Sequence, residues 1–83
     1  MAHFDRHDTL TKVIEIIAHK LNIEPSSLDE NSQFQTLGAD SLDMVEIVMK
    51  FEEAFGIEVE DAAADRLTDI GSTVDYIQGK RTR

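Results

Sequence analysis

The segment GADSLD, residues 38–43, places the hydroxyl of Ser41 between the carboxylates of Asp40 and Asp43. A serine becomes a strong nucleophile when a general base lies beside it, and no histidine is near Ser41 in the sequence. At the start of a helix, the hydroxyl would instead lie near free backbone N–H groups, where a phosphate joined to it is stabilised. From the residues alone, either Ser41 or Asp40 simply caps this helix, or a group is attached to Ser41.

Other side chains that could do chemistry form weaker patterns. His3 and His7 are four residues apart and could bind a metal on a helix, but no third ligand has a suitable spacing. The acids of residues 52–61 do not follow the order of a calcium-binding loop. The chain has no cysteine and therefore no thiol of its own. We expect no metal site, and no reaction catalysed by this chain alone.

The charge of the chain is acidic and concentrated after Ser41. There are 17 acidic and 8 basic residues, for a net charge of −9, and residues 40–61 hold eight of the acids with one base, Lys50. Such a surface disfavours nucleic acids and anionic membranes and favours proteins that present basic patches. No apolar run could span a bilayer, and the N-terminal residues do not resemble a signal peptide. We expect a monomer in the cytoplasm or, after removal of a transit peptide, in an organelle matrix.

Hydrophobic periodicity predicts a single all-α domain, a small bundle of three main helices and one short helix. The main helices are expected at about residues 9–21, 41–55 and 69–78, and the short helix within 58–67. The loop of residues 22–40 is unusually long, and we expect its apolar side chains to pin it across the core. About residues 1–8 and 80–83 are expected to be flexible ends.

Capping residues set the expected ends of these helices. Asp8 or Thr9 is predicted to cap the first helix, and Gly56 to close the second in a left-handed conformation. Asp69 is predicted to cap the last helix, and Gly79 to end it. These signals are local, so they predict helix ends without fixing how the helices pack.

The second predicted helix has two apolar faces. One full stripe is expected to face the core: Met44, Ile47, Val48, Phe51 and Phe55. Leu42, Val45 and Met49 recur at i, i+3 and i+7 on roughly the opposite side, with Glu46 and Glu53 beside them. A bundle helix needs only one buried stripe. We therefore interpret these last five residues as a docking face for other proteins.

The segment from Leu37 to Asp61, LGADSLDMVEIVMKFEEAFGIEVED, closely resembles the acyl carrier proteins of dissociated (type II) fatty-acid synthesis. The resemblance extends from about Thr9 to Gly79. A bare DSL triplet would be weak evidence, but DSLDMVEIVMKFEE followed by FGIEVED is highly specific.

This resemblance implies that a phosphopantetheinyl transferase (holo-acyl carrier protein synthase) moves a 4′-phosphopantetheine arm from coenzyme A to Ser41, where acyl chains are carried as thioesters. Asp40, Leu42 and Asp43 would complete the attachment motif. Enzymes of fatty-acid synthesis would present basic patches to the docking face: Leu42, Val45, Glu46, Met49 and Glu53. The acyl chain would fold back into a cavity lined by Ile47, Phe51, Val59, Leu67 and Ile70.

Two alternatives stay open beside this interpretation. The chain could be a specialised carrier of polyketide or other acyl groups, or an unmodified helical adaptor that uses its second helix only to bind proteins. The adaptor alternative predicts that Ser41 is dispensable. For a carrier, Ser41→Ala should remove all function and leave the fold nearly intact, at a capping cost of about 1 kcal/mol.

Overall fold

A computed structural model gives the structure of residues 5–81 of the 83-residue chain. Its helices are α1 (Arg6–Leu21), α2 (Ser41–Phe55), α3 (Asp61–Ala64) and α4 (Ile70–Arg81). The predicted all-α bundle with one short helix is confirmed. The β-type pairing within residues 5–81 is limited to a single bridge, between Gln33 and Asp69. None of the helices in this range is both long and apolar enough to cross a membrane.

Helix α1 begins earlier than its apolar stripe predicts. Asp5 is the cap, and its carboxylate accepts a hydrogen bond from the backbone N–H of His7 at 3.1 Å. The predicted caps were therefore wrong: Asp8 lies in the first turn, and Thr9 is completely buried. Residues 6–8, part of the end expected to be flexible, are helical, and residues 1–4 lie outside the described residues.

The long loop, residues 22–40, is fixed to the start of α4. The loop contains one 3₁₀ turn, Pro25–Ser27. Its backbone joins residues 68–71 through three hydrogen bonds, from Phe34 N to Thr68 O at 3.0 Å, from Ile70 N to Ser32 O at 3.0 Å and from Gly71 N to Glu30 O at 2.9 Å. The guanidinium of Arg6 adds two bonds to the Glu30 carboxylate, at 2.7 and 2.9 Å. A loop of this length is thereby held in one place.

The core lies where α1, α2 and α4 meet, and apolar side chains of the loops close its ends. The completely buried aliphatic side chains are Val13, Ile17, Ile47, Ile70, Val74 and Ile77. Leu28 and Phe34 are buried, and Ile23 and Leu37 are half-buried against the core, so the predicted pinning of the loop is confirmed. Burial of such side chains supplies the main stabilising free energy of a domain this small.

Helix α4 continues past its predicted end. Asp69 is the predicted cap, and its carboxylate accepts the backbone N–H of Ser72 at 2.7 Å. Gly79 does not end the helix, which extends to Arg81. The Arg81 guanidinium donates to Thr9 Oγ1 at 2.9 Å and lies 4.9 Å from the centre of the Phe55 ring. These contacts hold the last turn, so residues 80–81, expected to be flexible, are helical.

Candidate functional site

Ser41 is the first residue of α2, and its hydroxyl is not used to cap that helix. Asp40 is the cap, with its carboxylate accepting the backbone N–H of Asp43 at 2.8 Å. The Asp43 carboxylate in turn accepts the backbone N–H of Asp40 at 3.2 Å, which completes a capping box. Ser41 itself is exposed and has no side-chain hydrogen bond within the described part of the chain. The hydroxyl is therefore accessible to an incoming group.

The surroundings of Ser41 fit a phosphate on its oxygen. The first turn of a helix has backbone N–H groups without intrahelical partners, and the helix dipole is positive there. The carboxylates of Asp40 and Asp43 accept two of the backbone N–H groups at this helix start. Gly38, with φ +85°, turns the chain into this segment, a conformation that a residue with a side chain rarely adopts. The turn and the capping box together present Ser41 to solvent.

A groove of about 640 Å³ opens beside Ser41. It lies between the end of the long loop, α2 and residues 59–68, and Ser41 and Asp40 are among the residues at its margin. Its apolar lining comes mainly from Phe34, Ala39, Met44, Val48, Val59, Ala64 and Leu67. This attachment groove is large enough for an apolar chain and is continuous with the Ser41 side of α2.

The sequence-based cavity residues only partly coincide with the attachment groove. Val59 and Leu67, two of the residues expected to line an acyl cavity, border this groove. Ile47, Phe51 and Ile70 do not, because they are 0%, 1% and 0% exposed and belong to the closed core. Helical periodicity shows which residues point inward, but it does not separate the closed core from the walls of a groove. Met44 and Val48, predicted as core residues, pack half-buried against the core and also line the groove wall.

A hydrogen bond between Glu52 and Val59 helps to fix the wall of the attachment groove that Val59 lines. The Glu52 carboxylate accepts the backbone N–H of Val59 at 2.8 Å, across the turn that follows α2. Gly56, with φ 64°, closes α2 in the predicted left-handed conformation and reverses the chain. Glu52 is thus engaged within the chain. No sequence signal distinguished it from the exposed acids near it.

The apolar part of the docking face is solvent-exposed, as the spacing predicts. Leu42 is 65% exposed, Val45 57% and Met49 52%, and they are the exposed large apolar side chains of residues 5–81. Val45 and Met49 also border the attachment groove. The apolar docking residues and the groove therefore share one edge of α2. Ser41 lies at the beginning of this edge.

The two acids of the docking face differ in their surroundings. Glu53 is widely exposed, and its carboxylate is 4.0 Å from the ammonium of Lys50 on the same helix. Glu46 accepts a hydrogen bond from the ammonium of Lys20, in the last turn of α1. Both acids were predicted to make contacts with partner proteins. The structure shows that Glu46 already has a basic partner within the chain.

His7 and His19, the histidines within residues 5–81, do not line the attachment groove. His7 is exposed in the first turn of α1, and His19 is exposed near its end. His3, the other half of the weak metal-binding pattern, lies outside the described residues. Within residues 5–81, no three His, Cys, Asp or Glu side chains are grouped to hold a metal ion.

Comparison with known proteins shows the family of this chain. Residues 11–77 match the family described as the phosphopantetheine attachment site. An acyl carrier protein of Prochlorococcus marinus (strain MIT 9515) is 43% identical over 77 residues, which cover 92% of this chain and 96% of that protein. One of Rubrobacter xylanophilus (strain DSM 9941 / JCM 11954 / NBRC 16129 / PRD-1) is 40% identical over 79 residues, covering 94% and 98%. The chain belongs to the acyl carrier protein family.

Membership of the acyl carrier protein family confirms the sequence-based recognition. As an acyl carrier protein, the chain is a non-catalytic carrier, and its cofactor is 4′-phosphopantetheine. The match spans α1 through most of α4, so it covers the groove, the docking face and Ser41 together.

Proposed function

We propose that Ser41 is the residue to which 4′-phosphopantetheine is attached, and that the carrier presents acyl chains on this arm to the enzymes of fatty-acid synthesis. The observation that carries the proposal is the exposed Ser41 hydroxyl, which the Asp40 and Asp43 capping box leaves without a bonding role. The cofactor supplies a terminal thiol that holds acyl groups as thioesters. This chemistry suits a chain that has no cysteine of its own.

Attachment requires one nucleophilic displacement at phosphorus. The Ser41 oxygen attacks the phosphorus of coenzyme A that bears the pantetheine, and a new O–P bond forms. The pyrophosphate P–O bond breaks, adenosine 3′,5′-bisphosphate leaves, and the serine proton passes to a base of the transferase. The base is assigned to the transferase, because the Asp40 and Asp43 carboxylates beside Ser41 already accept backbone N–H groups of the helix start. Asp40 and Asp43 keep the start of α2 folded while Ser41 reacts.

The docking face is proposed to receive the basic patches of the transferase and of the synthesis enzymes. Leu42, Val45 and Met49 offer apolar contact, and the nearby carboxylates offer charge. The patch is small, so each interface should be weak and short-lived. Such interfaces suit a carrier that must move from one enzyme to the next. The cytoplasm, or an organelle matrix, is the proposed place of action.

The attachment groove is proposed to shelter the acyl chain. Its apolar walls include Met44, Val48, Val59 and Leu67, and it begins beside Ser41. An acyl chain in this groove would bury apolar surface that is otherwise in water, which stabilises the loaded form. Val59 and Leu67 belong both to this groove and to the cavity expected from the sequence, whereas Ile47, Phe51 and Ile70 lie in the closed core behind it.

The test is the intact mass of the chain before and after incubation with coenzyme A and a phosphopantetheinyl transferase. A gain of one phosphopantetheine per chain, with one new titratable thiol, is expected. Ser41→Ala should show neither change. Ser26→Ala removes another exposed serine, in the 3₁₀ turn, and should react like the unaltered chain. A full mass gain on Ser41→Ala would overturn the assignment, and no gain on an unmodified chain would favour the helical adaptor.

A further inference from the structure

A basic residue of α1 reaches onto the docking face of α2. Lys20 lies in the last turn of α1, where a cation is favoured by the negative end of the helix dipole. Its ammonium donates a hydrogen bond to Oε1 of Glu46, in the second turn of α2. Glu46 lies directly beside Val45, one of the exposed apolar residues. A cation of the carrier itself therefore occupies a carboxylate of the surface proposed to attract basic partners.

Lys20 interacts electrostatically with other carboxylates besides that of Glu46. The hydrogen bond to Glu46 raises the pKa of the Lys20 ammonium above its ordinary value, against a smaller lowering by burial. The charges of Asp43 and Asp40 raise this pKa further. Lys20 is thus held in the field of all three carboxylates at the beginning of α2. These are the carboxylates nearest to Ser41 in sequence.

The contact between Lys20 and Glu46 can be exchanged. The two side chains keep 32% and 44% of their surface exposed, so an approaching cation can reach Glu46 from solvent. Ion pairs with this exposure are weak, because water and salt screen them. Glu53 gives the contrast, since it is 69% exposed and 4.0 Å from its nearest cation, Lys50. Glu53 is open to partners, whereas Glu46 is occupied.

We propose that Lys20 competes with basic partners for Glu46, so that docking requires a partner cation to displace the Lys20 ammonium. Lys20 would thus tune the affinity of partners for the docking face without touching the reacting atoms. The Lys20 ammonium lowers the affinity of basic partners for the docking face, which favours their dissociation. The inference rests on the proposed function, because it concerns the same docking face. An exposed ion pair of this kind changes affinity by about two- to fivefold.

The experiment measures KM and kcat for modification of Ser41 by a transferase with a basic carrier-binding surface, at low ionic strength. Lys20→Gln should lower KM about two- to fivefold with kcat unchanged. Lys20→Arg keeps the charge and should retain the KM of the unaltered carrier. Lys12→Gln is the matched control, because Lys12 is also in α1 and also binds a carboxylate, that of Asp8 at 2.8 Å. It makes the same change in net charge and should lower KM much less.

A double-mutant cycle then isolates the contact. In a Glu46→Gln background, Lys20→Gln should change KM no more than Lys12→Gln does. An equal effect of Lys20→Gln and Lys12→Gln in the unaltered background would overturn the inference, since general charge would explain both. A full effect that persists without Glu46 would also overturn it. Failure of the unaltered carrier to gain mass is a different result, which overturns the proposed function and this inference with it.

Discussion

The carboxylate of Asp40 and the backbone N–H of Asp43 are joined by a hydrogen bond of 2.8 Å that spans Ser41. The return bond, from the backbone N–H of Asp40 to the Asp43 carboxylate, is 3.2 Å long. Together they give the capping role to the acids on either side of the serine. Ser41 is consequently in a fixed position without being a structural element of the helix end. Asp40 and Asp43 cap the helix, whereas the exposed hydroxyl that can react belongs to Ser41.

The first prediction concerns the separate roles of Ser41 and Asp40 at the start of α2. Ser41→Ala should change the free energy of unfolding by no more than about 0.5 kcal/mol, because its hydroxyl caps nothing. This corrects the cost of about 1 kcal/mol expected when Ser41 was a candidate cap. Asp40→Ala should carry that cost of about 1 kcal/mol instead. Urea unfolding of both variants measures the difference, and a larger loss in Ser41→Ala than in Asp40→Ala would contradict the assignment of the cap.

A second prediction compares two glycines of α4. A methyl group at Gly71 would lie 3.1 Å from the backbone oxygen of Glu30, which the Gly71 N–H already approaches at 2.9 Å. At Gly79 a methyl group would meet nothing within 4 Å. Gly79→Ala should therefore stabilise the fold by about 0.5–1 kcal/mol through helix propensity, whereas Gly71→Ala should destabilise it. Thermal unfolding of the pair is the measurement, and an equal gain from both would show that the loop yields freely at Glu30.

The two faces of α2 provide a third prediction. Ile47 is completely buried, whereas Met49, two residues on, is 52% exposed. Ile47→Ala should cost about 2–5 kcal/mol of stability, because it leaves a cavity in the core. Met49→Ala should cost no more than about 0.5 kcal/mol and should raise KM for modification by the transferase. Unfolding and KM are measured on both variants. A large loss of stability in Met49→Ala would mean that Met49 belongs to the core and not to the docking face.

A fourth prediction follows from the contact between Arg6 and Glu30. The hydrogen bonds from Arg6 lower the pKa of the Glu30 carboxyl below its ordinary value of 4.5. A carboxyl whose pKa is lower in the folded state stabilises the fold above its unfolded pKa. This contribution is lost as the pH falls through the folded pKa. The unaltered carrier should therefore exceed Glu30→Gln in thermal midpoint at neutral pH, and the excess should shrink below about pH 4.5.

The control for this pH series is Glu24→Gln. Glu24 is an exposed acid of the same long loop, and it binds no guanidinium within residues 5–81. Thermal midpoints of the three proteins are compared from neutral to acidic pH. An excess over Glu30→Gln that stayed constant down to strongly acidic pH would show that the Glu30 charge is not what stabilises the contact.

Helix α2 was predictable from sequence because its signals are local. Its start follows from Asp40, its end from Gly56, and its two faces from the spacing of apolar residues. The start of α1 was missed, since the helix extends back to Arg6, whose partners Glu30 and Asp75 are 24 and 69 positions away. Periodicity along one helix carries no information on such distant partners.

The site was predictable in part for the same reason. The position of Ser41 and the exposure of Leu42, Val45 and Met49 depend on α2 alone. The walls of the groove depend on where residues 59–68 lie, which the hydrogen bond between Glu52 and Val59 helps to set. The occupation of Glu46 by Lys20 depends on how α1 crosses α2. The groove walls and the contact between Lys20 and Glu46 are both tertiary relationships, and local sequence patterns do not predict either of them.

The contact between Arg81 and Asp8 places the last described turn of the chain beside the first. Their side chains are 3.2 Å apart, and the guanidinium side chain is only 8% exposed. A fold whose first and last described helical turns are in contact can be inserted into a surface loop of a host protein with little distortion of either. The contacts of Arg81 with Thr9 and Phe55 would persist in such an insertion only if the linkers leave the last turn of α4 free to pack. Thermal unfolding of insertions with linkers of graded length would therefore show how much the packing of this last turn contributes to the stability of the carrier.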